Sequence, residues 1–397
     1  MTITEQTAET EVANSTPRRI CVVLVVDDLG YGGAERQVVE LANNMESDRF
    51  DVHVCALSAH VPLGSRLRDA QRRLHIIELG FRYDCRTVVR VARLLRDLRA
   101  DIVHGYLFRA EIVSRLAGRL ARTPVVLGSE RNANQTFRRR NVLIYRLTAG
   151  CADAIIANSH AGAESNGRIF RRPRSDYRVV HNGVDTERFR PGDGAATRQR
   201  LGLVPPCLVI GVFANFKPQK NHAMLFRAFR QALGSHPEAR LLLVGAEPAD
   251  SRGRMNAYTV QMNALINELG IRDRCLFLGH QEGVEEIYRA CDMTVLPSLH
   301  EGTPNVLLES MACGVPVVAT DVCDNKYVVR DGEVGYLTSA TDEGVMADRI
   351  TSLLADGRLR REMGGRARGW VVEEFSTQRL AEKTAAVYMD LLGAVEV

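Results

Sequence analysis

The sequence predicts two α/β domains, each a doubly wound, Rossmann-like parallel sheet, facing each other across a cleft. The chain has 397 residues, 45% hydrophobic and 25% charged, which is ordinary globular composition and long enough for two domains. In both halves, apolar runs of strand length alternate with stretches of helical period, a pattern typical of βαβ units. Between the halves, the turn at 182–185 and the Pro- and Gly-containing stretch 191–206 predict a boundary near residues 190–205.

The elements follow that alternation in order. In the first half we predict strands at 20–26, 52–57, 75–79, 102–104, 125–128 and 154–157, with helices such as 34–45 and 86–99 between them. In the second half we predict strands at 208–213, 240–244, 275–278, 293–296 and 316–319, and a last helix at 377–392. The expected division is a disordered tail over 1–17, a first domain over 18–190, a second over 200–375, and a C-terminal helix over 376–397.

Hydropathy and cysteine usage bound the cellular context. The longest purely apolar run, 20–26, is too short to cross a bilayer, and residues 1–17 lack a basic start followed by an apolar core. Nine cysteines are scattered singly, without a C-x-x-C pair, as expected for buried thiols in a reducing compartment. We therefore expect a cytoplasmic protein, either free or at the inner face of the plasma membrane.

Charge is distributed unevenly along the chain. Residues 1–190 hold 30 arginines and no lysine against 22 acidic residues, a net charge of +8, whereas the remainder holds 22 basic and 26 acidic residues, a net charge of −4. A basic first domain suits an anionic partner such as a phospholipid surface or a lipid-diphosphate acceptor. The basic run 137–146 is a candidate membrane-surface helix. An arginine-rich surface without a ligand, and an ordinary amphipathic helix, remain open alternatives.

The most informative segment carries two glutamates, Glu301 and Glu309, eight positions apart around the start of a short helix that follows the strand 293–296. Pro304 suits the first helical position, so the free amides at 305–307 would face a ligand beyond the strand. A diphosphate there gains roughly 0.3 to 2 kcal/mol from the helix dipole. Because carboxylates accept hydrogen bonds from sugar hydroxyls, we predict a nucleotide-sugar site; the alternative is a charge complementing the helix plus a chance glutamate. The predicted donor contacts here are Gly302, Thr303, Pro304, Asn305, Val306 and Glu309.

A glycine-rich turn, Leu-Gly-Tyr-Gly-Gly-Ala-Glu-Arg at 29–36, opens the first predicted helix. Gly32 and Gly33 let the backbone approach a phosphate closely. The dinucleotide fingerprint would need a glycine where Glu35 stands, which argues against an NAD site. A purely structural turn is the alternative.

Two polar side chains end neighbouring strands of the first domain. His104 is expected to project from the carboxyl edge into the cleft, and Arg131 is expected to contact the acceptor or a phosphate. The alternatives are a histidine that caps its strand through a satisfied hydrogen bond, and a solvated loop around Arg131.

In the second domain, Lys220 precedes a helix predicted to begin near Asn221. A lysine there can sit on a diphosphate as a point charge. Only a few lysines occur in the chain, so we favour this role over an incidental surface lysine.

These elements resemble, in the same order along the chain, those of the retaining glycosyltransferases of family 4. The segment 301–309 resembles their E-x7-E signature and 32–35 their GG-x-E segment, and His104 and Lys220 match the family pattern; the resemblance spans about residues 20–392. It implies the GT-B fold, donor phosphates or acceptor near the amide of Gly33, and a C-terminal helix that crosses back onto the first domain. Family members commonly carry an arginine where this chain has Asn215. The missing cation implies weaker donor binding, different phosphate contacts, or compensation by Lys217 or Arg131.

The activity implied by this resemblance is metal-independent transfer of a sugar, with retention, from a UDP- or GDP-sugar to a glycan or lipid-linked acceptor. No cofactor and no nucleic acid are expected. His104, Glu301 and Lys220 are the predicted catalytic residues, with Glu301 orienting the sugar and Glu309 the ribose. Such an enzyme would serve cell-surface polysaccharide or glycoconjugate synthesis. The rival hypotheses are a nucleotide-sugar 2-epimerase of the same architecture and a non-catalytic sugar-nucleotide-binding module.

Overall fold

The computed structural model describes residues 18–80, 84–131, 138–246 and 255–395. The predicted disordered tail, 1–17, lies outside these residues. Two sheets form the framework, and every strand pair in them is parallel. The predicted fold class, two doubly wound α/β domains, is therefore confirmed.

The first sheet has seven strands in the order β3-β2-β1-β4-β5-β6-β7. Its strands are β1 Ile20–Val26, β2 Phe50–Ala56, β3 Leu74–Ile76, β4 Ile102–Tyr106, β5 Val125–Glu130, β6 Ala154–Ala157 and β7 Tyr177–Val179. Its helices are α1 Gly33–Asn44, α2 Ala70–Arg73, α3 Cys85–Asp97, α4 Phe108–Ala121, α5 Arg139–Leu147 and α6 His160–Phe170.

The second sheet has six strands in the order β10-β9-β8-β11-β12-β13. Its strands are β8 Val209–Phe213, β9 Arg240–Val244, β10 Cys275–Gly279, β11 Met293–Leu296, β12 Val317–Thr320 and β13 Gly335–Thr338. The helices from the interdomain connection onward are α7 Ala195–Arg200, α8 His222–Ala232, α9 Ala257–Glu268, α10 Val284–Arg289, α11 Asn305–Ala312, α12 Asn325–Val328, α13 Glu343–Ala355, α14 Gly357–Glu374 and α15 Thr377–Gly393.

The strand order places the ligand crevice. In each sheet the order reverses beside the first strand, between β1 and β4 and between β8 and β11. In doubly wound sheets, ligands bind outside the carboxyl ends of the strands at this switch point. The loops that leave the strands at these switch points carry predicted site residues: Gly32 and Gly33 follow β1, Lys220 follows β8, and Glu301 follows β11.

Strand β1 shows why the sheets are buried on both faces. Val22, Leu24 and Val26 belong to one apolar cluster, and Val23 and Val25 belong to another, because successive side chains point to opposite faces. A strand covered on both sides has no polar positions, which explains the continuous apolar run in the sequence.

The last helix, α15, packs on the first sheet. Leu380, Ala381 and Tyr388 lie in the same apolar cluster as Val22 and Leu24. The chain returns to this domain at residue 376, where Val184 N–H donates to the Phe375 carbonyl at 2.8 Å and Thr377 N–H to the Val184 carbonyl at 3.1 Å.

Each of the predicted strands overlaps a strand of the structure, and two strands, β7 and β13, were not predicted. Within the described part of the chain, no helix has both the length and the apolar character that crossing a bilayer requires.

Candidate active site

The predicted anion site at the start of α11 has the expected local structure. Strand β11 ends at Leu296, and α11 begins at Asn305, with the extended Pro304 as the residue before the helix. The amide groups of the first helical turn, including those of Asn305 and Val306, have no partners further back in a helix and mark the positive end of its dipole. The helix therefore begins one residue later than predicted.

A cation and a carboxylate lie together beside this helix start. Lys220 Nζ is 2.5 Å from Glu301 Oε1, and both side chains are largely buried. The loop that precedes α8 is fixed against the loop that precedes α11, because Gln219 Nε2 donates to the His300 carbonyl at 2.7 Å and Leu299 N–H to the Gln219 carbonyl at 2.8 Å. Two predicted site residues from different loops are thus brought into contact.

Glu309 is buried about one turn inside α11. Its Oε2 accepts from the Tyr288 hydroxyl at 2.9 Å, and its Oε1 lies 3.3 Å from Nη1 of Arg36. Burial raises the pKa of Glu309, against the opposing effects of Arg36 and Tyr288. The two carboxylates of the motif therefore differ in partner, since Glu301 meets a lysine of its own domain and Glu309 an arginine of the other.

The glycine-rich turn of the first domain abuts the same helix start. Helix α1 begins at Gly33, and a Cβ placed on Gly33 would lie 3.2 Å from Asn305 Nδ2. The N-termini of α1 and α11 consequently lie close together. Gly32 precedes α1 in extended conformation, with φ −74° and ψ 167°.

Two asparagines, Asn158 and Asn182, join the domains around the loop 302–305. Asn182 Nδ2 donates to the Thr303 carbonyl at 2.9 Å and to Asn305 Oδ1 at 2.8 Å. The Thr303 hydroxyl donates to the Asn158 carbonyl, and a Cβ on Gly302 would meet Asn158 Oδ1 at 2.7 Å. The sequence signal at Asn182 was interpreted only as a turn, and Asn158 was not singled out, because contacts between domains leave no local pattern.

His104 does not project into the cleft, so its predicted placement is wrong. The side chain is fully buried; its Nδ1 is 2.8 Å from the Tyr388 hydroxyl of α15 and its Nε2 2.7 Å from Ser129 Oγ. The physical reason is the alternation of β4, which directs this residue to the face that α15 covers. Burial, together with the charge of Arg131, holds the pKa of His104 well below its usual range, so the ring is neutral.

Arg131 lies at the carboxyl end of β5. Its guanidinium stands 4.8 Å from the centre of the Tyr106 ring, and its Nη1 donates to Asn182 Oδ1 at 3.3 Å. The Nε atom is buried and has no hydrogen-bond partner within the described residues. Arg131 thus touches the same asparagine that bridges to α11.

Asn215 occupies the position where the family resemblance led us to expect an arginine. Its Oδ1 accepts from the Ala246 amide at 2.8 Å, so the side chain ties together the loops after β8 and β9. Lys217, one of the two suggested replacements for the missing cation, is exposed. Arg36 is a further cation at the site that the sequence reasoning missed; its signal was its place one turn into a helix that begins at Gly33.

A further contact between the domains lies at α6. The Asp324 carboxylate accepts from the amides of His160 and Ala161, at 2.7 and 2.9 Å, and from His181 Nε2 at 3.0 Å. His160, His181 and Asp324 are close enough for a metal ion. The carboxylate is fully buried and already receives three donors, while Arg174 Nη2 lies 3.4 Å from His160 Nδ1, an arrangement that suits a helix cap better than a cation site.

Two protein-family models match this chain, one in each half. Residues 31–188 match the family model described as Glycosyltransferase Family 4, and residues 195–370 match Glycosyl transferases group 1. The chain is 30% identical over 418 residues to the D-inositol 3-phosphate glycosyltransferase of Acidothermus cellulolyticus, covering 95% of this chain and 91% of that protein. It is 30% identical over 285 residues to the N-acetyl-alpha-D-glucosaminyl L-malate synthase of Bacillus anthracis, covering 72% and 69% respectively.

Solved structures show the same fold. Alr3699/HepE of Anabaena, in complex with UDP and glucose, superposes with a TM-score of 0.81 at 21% identity, covering 94% of this chain and all of that one. Sucrose-phosphate synthase of Thermosynechococcus elongatus gives a TM-score of 0.73 at 21% identity, covering 95% of this chain. With two family models side by side on its two sheets and relatives aligned over most of its length, the chain belongs to the GT-B glycosyltransferases that join a family 4 region to a group 1 region.

Proposed function

We propose that the protein transfers a sugar, with retention of configuration and without a metal ion, from a UDP- or GDP-sugar to a glycan or lipid-linked acceptor. The observation that carries this proposal is the contact of Lys220 with Glu301 beside the start of α11, opposite Gly33. The two helix N-termini and the lysine would stabilise the charge of a departing diphosphate, as a divalent ion does in other enzymes. Arg36 and Arg131 supply positive charge from the first domain in place of the arginine that Asn215 replaces.

In this scheme Glu301 orients the transferred sugar and Glu309 binds the ribose. Among the described residues each carboxylate oxygen of Glu309 has one hydrogen-bond partner, which leaves lone pairs for ribose hydroxyls. Transfer occurs on the front face, where the leaving phosphate takes the acceptor proton. Closure of the domains around the loop 302–305 would exclude water and limit hydrolysis of the donor.

His104 acts in this proposal as a positioning residue. Its neutral ring holds Ser129 Oγ and the Tyr388 hydroxyl, and Ser129 precedes the strand end that carries Arg131. With both nitrogens engaged and its pKa depressed by burial, the imidazole is not suited to accept a proton.

The donor is proposed to be a nucleotide sugar because HepE, of the same fold, has been solved with UDP and with UDP-glucose. The acceptor is proposed to be a glycan or a lipid-linked glycan of cell-surface polysaccharide or glycoconjugate synthesis. We place the reaction at the cytoplasmic face of the plasma membrane. Helix α5, which covers most of the basic run 137–146, exposes Arg139, Arg140 and Arg146 together with Leu143 and Leu147, at 58% and 75% exposure. Residue 137 lies outside the described residues.

The test uses calorimetric titration of UDP, GDP and uridine into the wild type, Lys220→Met and a control, Lys383→Met, on the outer face of α15. Loss of a charge-assisted contact costs about 1.5 to 3 kcal/mol, so Lys220→Met should bind the diphosphate roughly 10- to 150-fold more weakly. Uridine affinity should not change, because uridine has no phosphate. Unchanged diphosphate affinity in Lys220→Met would remove the proposal.

Turnover is tested separately, with UDP- and GDP-sugars in the presence and absence of lipid-linked and oligosaccharide acceptors. Proton NMR of the product gives the anomeric configuration, and addition of EDTA tests the absence of a metal requirement. A new sugar nucleotide formed from donor alone would identify an epimerase instead. Nucleotide binding without turnover on any acceptor would identify a binding module.

A further inference from the structure

A second concavity lies in the first domain, outside the nucleotide site. It has a volume of about 270 Å³ and runs between α3, α4 and α5. Most of its lining is apolar and includes Leu79, Val88, Phe108, Ile112, Leu116 and Ile144. We call this concavity the α3–α5 groove. A small polar ligand would gain little from such a lining, since apolar surface rewards apolar contact.

One end of the α3–α5 groove opens at the carboxyl edge of the first sheet. Phe108 begins α4 directly after β4, and the amide of Leu79 donates to the carbonyl of Leu57, just beyond β2, at 3.1 Å. At this end Arg109, about half exposed, places its Nε 3.3 Å from Asp27 Oδ2. Asp27 directly follows β1, and the loop that begins there leads to Gly33 at the start of α1. This end of the groove therefore faces the same cleft as the nucleotide site.

Helices α4 and α5, which line the groove, also carry exposed leucines, and one of these, Leu116, is itself part of the lining. Leu116 on α4 and Leu143 and Leu147 on α5 are 37%, 58% and 75% exposed. Exposed apolar side chains on the helices of an apolar groove are the kind of surface that a hydrocarbon chain covers.

Buried polar contacts with α4 fix the orientation of α5. The hydroxyl of its Tyr145 donates to Glu111 Oε1 at 2.5 Å, and Arg115 Nη2 lies 2.5 Å from the same oxygen. All three side chains are buried, and the Arg115 guanidinium also stacks 3.9 Å from the centre of the Tyr145 ring. Because Tyr145 points inward, Leu143 and Leu147 must point outward.

We propose that the α3–α5 groove binds the hydrocarbon chain of a lipid-linked acceptor, with its phosphate at the Arg109 end and its chain along Ile112, Leu116 and Ile144. This inference rests on the proposed glycosyl transfer and names the acceptor class. The apolar lining and the net charge of +8 on residues 1–190 suit an anionic amphiphile, whose phosphate would compete with Asp27 for Arg109 at the mouth and lie away from Asp84, which also lines the groove. The names of the two relatives above point to inositol 3-phosphate and malate, which have no hydrocarbon chain, so a lipid-linked acceptor would set this chain apart from them.

Cys85 gives a direct readout of occupancy. It is exposed, it begins α3, and it lines the groove. The experiment measures its rate of alkylation by iodoacetamide, by peptide mass spectrometry, with the full chain and farnesyl phosphate below its micellar concentration. Cys207, in the second domain, serves as the internal control. At roughly ten times its dissociation constant the amphiphile leaves about one tenth of the sites open, so Cys85 should react about tenfold more slowly and Cys207 at an unchanged rate.

Two comparisons sharpen the result. Inorganic phosphate and inositol phosphate should not protect Cys85, which separates recognition of the chain from recognition of the phosphate. Ile112→Asn, a half-buried lining position, should abolish protection, whereas Leu120→Asn, 47% exposed on the same helix but outside the lining, should retain it. Val88→Asn replaces Ile112→Asn if circular dichroism shows that the latter is unfolded.

Equal alkylation with and without farnesyl phosphate, or full protection in both lining variants, would overturn the proposal. The assay contains no sugar nucleotide, so its failure is distinct from failure of the proposed transfer. A chain that binds UDP but leaves Cys85 unprotected retains the transferase function and loses the lipid acceptor.

Discussion

Glutamine in place of Glu309 changes one atom of a buried side chain and tests the ribose assignment. The carboxylate can accept two ribose hydroxyl donors with the lone pairs that Tyr288 and Arg36 leave free. A hydrogen bond to a charged acceptor is worth about 1.5 to 3 kcal/mol, and glutamine replaces one of the two oxygens with a donor. We expect the dissociation constants of UDP and GDP to rise roughly 10- to 150-fold.

The assay is isothermal titration with UDP and GDP, and the matched control is Glu285→Gln. Glu285 carries the same charge on the neighbouring helix α10, but its partner is Arg188, at 2.8 Å, and its side chain is partly exposed. The control should bind both nucleotides within about twofold of the wild type, since a partly exposed pair contributes about 1 kcal/mol or less to its own contact. If Glu309→Gln bound as tightly as Glu285→Gln, the ribose assignment would be refuted.

Loss of folding would not explain the expected result. Burial raises the pKa of Glu309, so the folded chain holds this proton to higher pH than the unfolded chain does. Ionisation of Glu309 therefore costs stability as pH rises above the unfolded value. Glutamine removes that cost. The urea concentration at the midpoint of unfolding of Glu309→Gln at neutral pH should therefore not fall below that of the wild type.

Three further predictions address the loops and the domain contacts. Gly302→Ala should weaken UDP-sugar binding about tenfold or more, measured by titration, because its Cβ would lie 2.7 Å from Asn158 Oδ1; a wild-type affinity would show that this contact yields. His222→Phe should flatten the pH dependence of urea unfolding: burial lowers the pKa of His222 from 6.5 to about 4, so the wild type should lose about 3 kcal/mol as pH falls between those values, and an equal loss in the variant would contradict this. Asp324→Ala should increase the radius of gyration in solution scattering, since it removes the cap that the second domain places on α6, and an unchanged radius would assign the closed arrangement to other contacts.

The sheets were predictable because their strands are continuous apolar runs, and such runs need no partner to be recognised. Strand β1 was predicted with the bounds that the structure shows. Strands β7 and β13 were missed because edge strands of three and four residues, with Arg178 in one and Gly335 in the other, carry neither a long apolar run nor a clear alternation.

The site was predictable where a helix start and a glycine turn fix the chemistry locally. Gly33 lies beside Asn305 at the start of α11, and Lys220 contacts Glu301, a direct contact that was not foreseen. The burial of His104 was not predictable, because the face to which β4 directs it is covered by a helix almost 300 residues later in the chain. Arg36 and Asn158 were missed for the same reason, since each acts on the opposite domain.

The position of α15 also bears on how the protein is made. Domains usually fold from the N-terminus as the ribosome releases them. Here the core around β1 is completed by Leu380, Ala381 and Tyr388, which are translated only after every strand of the second sheet. Until α15 is made, one apolar face of the first sheet stays exposed to solvent, even when the strands of the second sheet have been translated. Chaperones should therefore bind truncated or stalled chains through their N-terminal half.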